Sequence, residues 1–164
     1  MAHPSGANKL GDSRLGFDRR VRLEFHGSKI SSDGGLLLYR ELDDVLGLHD
    51  LMGEHLQDTR TGHNRLHSMV GLSRQSTFGR LAGYEDVNDA DRMAFVQVMR
   101  LIVGGRAVDG LACSSILMGL FETEALTKQD YLAAVAYMAG RWIDLHHNDR
   151  PLKWISLDMD SSVS

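Results

Sequence analysis

The sequence predicts a mainly α-helical protein with a short β-strand at each end of the helical part. Three observations favour this fold class. Between residues 33 and 147, apolar residues recur every three or four positions, which is the spacing of one face of an α-helix. Residues 20–26 and 153–160 instead alternate between polar and apolar side chains, a pattern typical of half-buried strands. Only two prolines interrupt the chain, so about six helices can run without a break.

The N-terminal strand is predicted from Val21, Leu23 and Phe25, which fall on one face of residues 20–26. The first helix follows the possible N-cap residues Ser31-Ser32-Asp33 and ends at Gly47. We expect this helix to bury one stripe of apolar residues: Leu38, Leu42, Val45 and Leu46.

Five further helices are predicted by the same periodicity. Their expected limits are about 49–56, 63–82, 88–103, 111–124 and 127–146. Gly83 and Gly104-Gly105 are expected to end the second and third of these. Thr127 is expected to cap the last helix, because Asp130 stands three residues later. This last helix carries its own apolar stripe: Tyr131, Leu132, Val135, Ala139, Trp142 and Ile143.

The composition is that of a globular domain. Of 164 residues, 43% are apolar and 24% are charged, which excludes a disordered or fibrous chain. No apolar run approaches the ~20 residues needed to span a bilayer, and the N-terminus has no signal-peptide core, so no membrane partner is expected. The one cysteine, Cys113, excludes an intramolecular disulfide and a cysteine-rich zinc site. We therefore expect a cytoplasmic protein.

The net charge of −4 is unevenly distributed along the chain. Residues 1–30 hold six lysines and arginines against three acids. Arg14, Arg19, Arg20 and Arg22 in this segment can each neutralise a nucleic-acid phosphate, although a solvated basic tail explains them equally well. Arg74 and Arg80 on the middle helices are further candidates for phosphate contacts, with a solubilising helix face as the alternative.

The final strand places acidic side chains together. Because side chains alternate across a strand, Ser156, Asp158 and Asp160 share the face opposite Ile155, Leu157 and Met159. Carboxylates are the ligands that Mg²⁺ prefers, and metal-dependent phosphoryl transfer uses such acids. An acidic, solvated strand face is the alternative interpretation.

Four stretches resemble bacterial insertion-sequence transposases of the DDE, ribonuclease-H-like class. They are ISSDGGLLL at residues 30–38, GRLAGYEDVND at 79–89, FETE at 121–124 and LDMDSSVS at 157–164. Their order and separation match the family over about residues 20–164. The resemblance implies a DNA transposase in which three acidic residues hold Mg²⁺ ions that promote DNA cleavage and strand transfer. It also implies transposon-end DNA as a partner, and a homo-oligomer or the full-length transposase as a possible second one.

When the acidic residues of the family are matched to this sequence, the resemblance implies that Asp160 is the first acid of the catalytic triad and a metal ligand. Asp158 is the alternative or a supporting metal ligand, and no residue here matches the second Asp or the Glu. We therefore expect a flexible tail at 1–18, a helical region at 19–148, and at 149–164 the first strand of an incomplete ribonuclease-H-like α/β domain. Such a fragment is expected to be inactive alone. The alternative is a non-catalytic regulator that binds transposon ends or oligomerises.

Overall fold

A computed structural model describes residues 13–23, 33–58, 60, 65–148 and 154. Within these ranges the protein is mainly helical, as the sequence predicts. Two short strands come first, β1 (Ser13–Arg14) and β2 (Arg22–Leu23), and they pair antiparallel. The α-helices that follow are α1 (Leu36–Leu46), α2 (Leu48–His55), α3 (Met69–Leu81), α4 (Ala90–Met93), α5 (Gln97–Val103), α6 (Ser115–Leu120) and α7 (Gln129–His147).

Helix α3 lies at the centre of the fold, because it packs against both α2 and α5. It contributes Leu72 and Phe78 to the core, where Ile102 of α5 is fully buried. The same core cluster takes in α1, α4, α6 and the start of α7, including Leu37, Met93, Met118, Phe121 and Tyr131. Burial of such apolar area is the main favourable term in folding.

Helix α1 ends at Gly47 as predicted, with this glycine in the left-handed conformation at φ 65°. The predicted buried face of the helix is wrong. Its stripe lies on the exposed side, as Leu38 is 47% and Val45 is 73% exposed. The buried side includes Arg40 and Asp43. These two charged residues find partners on other helices, a property that hydrophobic periodicity does not reveal.

Two helices begin or break at places that the sequence does not indicate. Helix α3 begins after Ser68, whose side chain accepts a hydrogen bond from the Gly71 N–H at 3.0 Å, and not near residue 63. The helix expected over 88–103 is divided into α4 and α5. The interruption begins at Ala94, whose carbonyl accepts a hydrogen bond from the Ala112 N–H at 3.1 Å and so bonds outside the helix. Gly104 ends α5 as predicted.

The predicted cap of α7 is also wrong. Helix α7 begins at Gln129, after Lys128, and no side chain in the described part of the chain caps its N-terminus. Thr127 instead donates its hydroxyl to the carbonyl of Thr123 in the preceding turn. That turn belongs to a π-helical segment, Phe121–Ala125, which continues α6 directly. The helix predicted over 111–124 therefore starts later and ends in a wider turn.

Part of the predicted strand structure lies outside the described residues. Only β2 represents the strand expected over 20–26, because residues 24–26 are not described. Of the strand expected over 153–160, Trp154 alone is described, so that strand and a ribonuclease-H-like sheet stay predictions. Among the described helices, none has the length and hydrophobicity needed to cross a membrane.

A buried glutamine joins α3 to the segment before α6. Gln75 is completely buried, and its side-chain amide donates to the Cys113 carbonyl at 2.6 Å and accepts from the Cys113 N–H at 2.7 Å. We expect Gln75→Leu to lower the free energy of unfolding by about 1–3 kcal/mol, since two buried backbone groups lose their partners. Urea denaturation measures the loss. Thr77→Ala on the same helix, which shortens a half-buried side chain, is the control, and an equal loss in both variants contradicts the argument.

Candidate nucleic-acid interface

Four of the predicted DNA-contacting arginines lie together on one β-hairpin. Strands β1 and β2 pair in a register that sets Arg14 opposite Arg22. Arg19 and Arg20 lie in the turn between the strands, and all four residues are exposed. We call residues 14–22 the arginine hairpin. Its turn also contains Asp18, so these nine residues carry four positive charges and one negative charge.

Contacts to the helical core hold the arginine hairpin in place. Leu15 is 2% exposed and joins the core cluster. The carboxylate of Glu41 on α1 accepts hydrogen bonds from the Gly16 N–H at 2.8 and 2.9 Å and from the Phe17 N–H at 3.4 Å. The guanidinium of Arg40 lies 4.9 Å from the centre of the Phe17 ring. The hairpin is therefore anchored to α1.

Hydrogen bonds within the hairpin fix the direction of its turn. The Val21 N–H donates to the Asp18 carbonyl at 3.0 Å, and the Arg14 guanidinium donates to the Arg19 carbonyl at 3.2 Å. Arg20 forms an ion pair with Asp18 at 2.8 Å, and this hydrogen-bonded pairing lowers the pKa of the Asp18 carboxyl. The Arg20 side chain is 72% exposed, so an incoming phosphate can compete with Asp18 for its guanidinium. The hairpin thus presents a solvent-exposed cluster of cations.

Arg74 lies in a different environment. Its guanidinium is largely buried between α1, α2 and α3, 3.3 Å from Asp43 and 3.6 Å from both Asp44 and Asp50. Three carboxylates therefore surround its charge. A DNA contact by Arg74 stays a prediction, and its observed contacts are those of a residue that joins helices.

Asp43 lies at the centre of a buried network of charged and polar side chains that the sequence pattern does not reveal. Its carboxylate contacts the His49 Nδ1 at 2.8 Å and lies 3.7 Å from Arg40. His49 is buried against Phe78, and among the described residues its Nε2 has no hydrogen-bond partner. Burial by itself raises the pKa of Asp43, but the hydrogen bonds and charge of His49 and the charge of Arg74 outweigh it, so the pKa is lowered. The network is consistent with a structural role.

Arg80 is half-exposed near the end of α3. It forms an ion pair with Glu122 of the π-helical segment at 2.9 Å and also hydrogen-bonds Ser76. Glu122 belongs to the FETE stretch, and Arg80 to the GRLAGYEDVND stretch, so this ion pair joins two of the four sequence stretches in space. A phosphate contact by Arg80 stays a prediction.

The two candidate metal ligands, Asp158 and Asp160, lie outside the described residues. Among the described residues, no group of three or more histidine, cysteine, aspartate or glutamate side chains could hold a metal ion. Carboxylates are nevertheless the right ligand type for Mg²⁺, so the chemistry of this pair fits the expected ion. The arginine hairpin is the candidate site that the described structure positions.

Comparison with known proteins identifies a family. A family model described as "Transposase DDE domain group 1" matches residues 13–164, which is most of the chain. The match begins at the first strand of the arginine hairpin and extends through the acidic motif. No curated protein and no solved structure matches the sequence.

Proposed function

The chain belongs to the Transposase DDE domain group 1 family, and from this premise we propose that it binds insertion-sequence DNA as part of a metal-dependent transposase. The family match over residues 13–164 is the observation that carries this proposal. Members of a DDE family act on DNA, so the surface that contacts phosphates is the first functional feature to assign. The exposed cations of the arginine hairpin support its assignment to that contact.

The arginine hairpin suits the DNA backbone more than base edges. Its four exposed arginines lie on two short strands and the turn between them, and guanidinium groups bind phosphate oxygens through paired hydrogen bonds. Phosphate contacts position a protein on DNA without reading sequence. We therefore propose that the hairpin contacts the DNA backbone without reading its sequence. Other residues would then recognise the transposon ends.

Asp160, with Asp158 beside it in sequence, is proposed to hold Mg²⁺ at the start of a ribonuclease-H-like sheet. When bound, divalent ions supply Lewis-acid activation of the attacking oxygen in phosphodiester transfer. A two-metal site needs several oxygen ligands, and two acids on one strand provide too few. We therefore propose that the 164-residue polypeptide does not cleave DNA by itself.

The second candidate function is a regulator that binds transposon ends without chemistry. The exposed hairpin favours it, since DNA contact there requires no metal. Such a regulator competes for DNA ends or joins a full-length transposase in a mixed assembly.

A plasmid assay separates these functions. The purified chain is incubated with supercoiled plasmid and Mg²⁺, then analysed by gel electrophoresis for retardation and for nicking. We expect retardation without nicking. Absence of retardation contradicts the proposed DNA role. Robust nicking that is lost in Asp160→Ala, but kept in the control Asp144→Ala on exposed α7, contradicts the proposal that the chain alone is inactive.

A further inference from the structure

A groove of about 550 Å³ lies between the start of α3 and the turn that follows α5. Among the described residues, 65–68 line it beside α3, and 103–106 line it at the end of α5. Its two arginines, Arg65 and Arg106, are both exposed. We call it the α3–α5 groove. Neither arginine belongs to the arginine hairpin, so the groove is a separate cationic surface.

Two positive charges in the α3–α5 groove are not balanced by the acids that the structure describes. Arg106 forms no ion pair with any described residue. Arg65 donates to the backbone carbonyl of Asp58 at 2.9 Å, whereas the Asp58 carboxylate pairs with Arg60 at 2.8 Å. His67 adds little charge at neutral pH, because burial and then the charge of Arg60 lower its pKa. The groove therefore owes its positive charge to Arg65 and Arg106.

The backbone that carries Arg106 is held firmly against α5. A short 3₁₀ turn, Gly105–Ala107, follows the helix. The guanidinium of Arg100 on α5 donates to the Ala107 carbonyl at 3.0 Å and to the Val108 carbonyl at 2.7 Å. Ala107 is itself completely buried. Arg106 thus extends into solvent from an anchored turn, which limits the entropy lost when it binds a ligand.

The same turn connects the α3–α5 groove with the arginine hairpin. A second groove, of about 310 Å³, is lined by Arg20 of the hairpin and by Val108. The next residue, Asp109, is close enough to act on Arg20: the pKa of the Arg20 guanidinium is raised by its hydrogen bond and ion pair with Asp18 and, to a smaller extent, by the charge of Asp109. Residues 104–109 therefore border both cationic surfaces.

We propose that the α3–α5 groove is a second contact for the phosphate backbone of the DNA that the arginine hairpin binds, with Arg65 and Arg106 each neutralising one phosphate. This second contact rests on the proposed function and extends DNA binding from the hairpin across the surface. A phosphate displaces no carboxylate from either guanidinium, so the charge-assisted hydrogen bonds form without breaking an ion pair. Continuity with the hairpin favours DNA as the ligand, because a nucleic-acid backbone presents a row of phosphates to successive cations.

The salt dependence of duplex binding by the full chain tests this contact. Arg65→Ala/Arg106→Ala should reduce the slope of log affinity against log salt concentration by about two, since each phosphate contact contributes about 0.9. The control Arg92→Ala/Arg141→Ala removes the same charge from α4 and α7 and should leave the slope unchanged. Fluorescence anisotropy of a labelled duplex measures the slopes.

The possible outcomes separate this second contact from the proposed function. If Arg19→Ala lowers the slope while the groove variant keeps it, DNA binding through the hairpin stands and the groove contact is wrong. Equal reductions in the groove variant and its control also overturn the groove contact, because the effect then comes from overall charge. If the wild-type chain does not bind DNA, both proposals fail.

Photo-cross-linking locates the DNA directly. Leu66→Cys places a thiol in the groove at a 47% exposed position and keeps both arginines. Labelled with azidophenacyl bromide, it should cross-link to duplex DNA at a severalfold higher yield than labelled Tyr137→Cys, which is 68% exposed at its native residue on α7. The native Cys113 resists labelling, since it is buried and burial raises its pKa to about 12. Equal yields from the two positions overturn the proposal.

Discussion

Replacing Asp43 by alanine is expected to lower the free energy of unfolding by about 3–5 kcal/mol, the range for breaking a buried ion pair on one side. The carboxylate of Asp43 contacts Arg40, Arg74 and His49, and its side chain is only 5% exposed. Its removal leaves two buried guanidinium groups with fewer negative partners. Urea denaturation followed by helical circular dichroism measures the loss.

Two neighbouring acids provide matched controls. Asp50 also lies 3.6 Å from Arg74, but its side chain is 72% exposed, so Asp50→Ala is expected to change stability by less than about 1 kcal/mol. Asp44, with intermediate exposure, should fall between the two. If Asp43→Ala unfolds at the same urea concentration as the wild type, the buried network does not stabilise the fold.

The same network predicts a loss of stability in acid. The pKa of Asp43 is lower in the folded protein than its ordinary value, so the folded state favours the ionised carboxylate. Its contribution is fully present above the unfolded pKa, near 4, and disappears as the pH falls through the lower folded value. The difference in stability between wild type and Asp43→Asn should therefore shrink below about pH 4. A difference that is constant across this range contradicts the assigned pKa shift.

Removing the exposed arginines of the hairpin should weaken DNA binding and should also make the affinity less dependent on salt concentration. Each phosphate contact contributes about 0.9 to the slope of log affinity against log salt concentration. The triple variant Arg19→Ala/Arg20→Ala/Arg22→Ala should therefore bind duplex DNA more weakly and reduce the slope by about three, with little change between DNA sequences. Fluorescence anisotropy of a labelled duplex at several salt concentrations gives both quantities.

Two single variants, one on the hairpin and one on another element, test whether the salt dependence of DNA binding depends on the hairpin arginines. Arg19→Ala should lower the slope by about one. Arg92→Ala removes an arginine that is 81% exposed but belongs to α4 and not to the hairpin, and it should leave the slope unchanged. If the two variants lose affinity equally, the cations act only through the overall charge of the protein.

Much of the helical pattern could be predicted, because helix ends depend on local residues. Gly47, Gly83 and Gly104 end or follow helices as expected, each with a positive φ. The buried face of α1 could not be predicted by the same means. Periodicity counts apolar side chains, whereas Arg40 and Asp43 are buried because of partners distant in sequence: Arg74 is 31 residues from Asp43.

The arginines of the candidate interface could be predicted from the sequence, but their arrangement on a hairpin held against α1 could not. The clustering of Arg14, Arg19, Arg20 and Arg22 is visible in the sequence. Their fixed presentation is not, since it depends on Glu41, which holds the Gly16 backbone from 25 residues away. Residues 14–18 of the hairpin all fall within the tail that the sequence predicts at 1–18, yet Leu15 among them is buried in the core cluster.

Binding of the intact 164-residue chain to duplex DNA across a range of salt concentrations tests the proposed role most directly. The logarithm of the affinity should fall linearly with the logarithm of salt concentration, and the hairpin alone should contribute about −3 to −4 to the slope. Substitution of its arginines should remove that part of the slope. Undetectable binding at low salt, or an affinity that does not respond to salt, would contradict a transposase that holds DNA through the arginine hairpin.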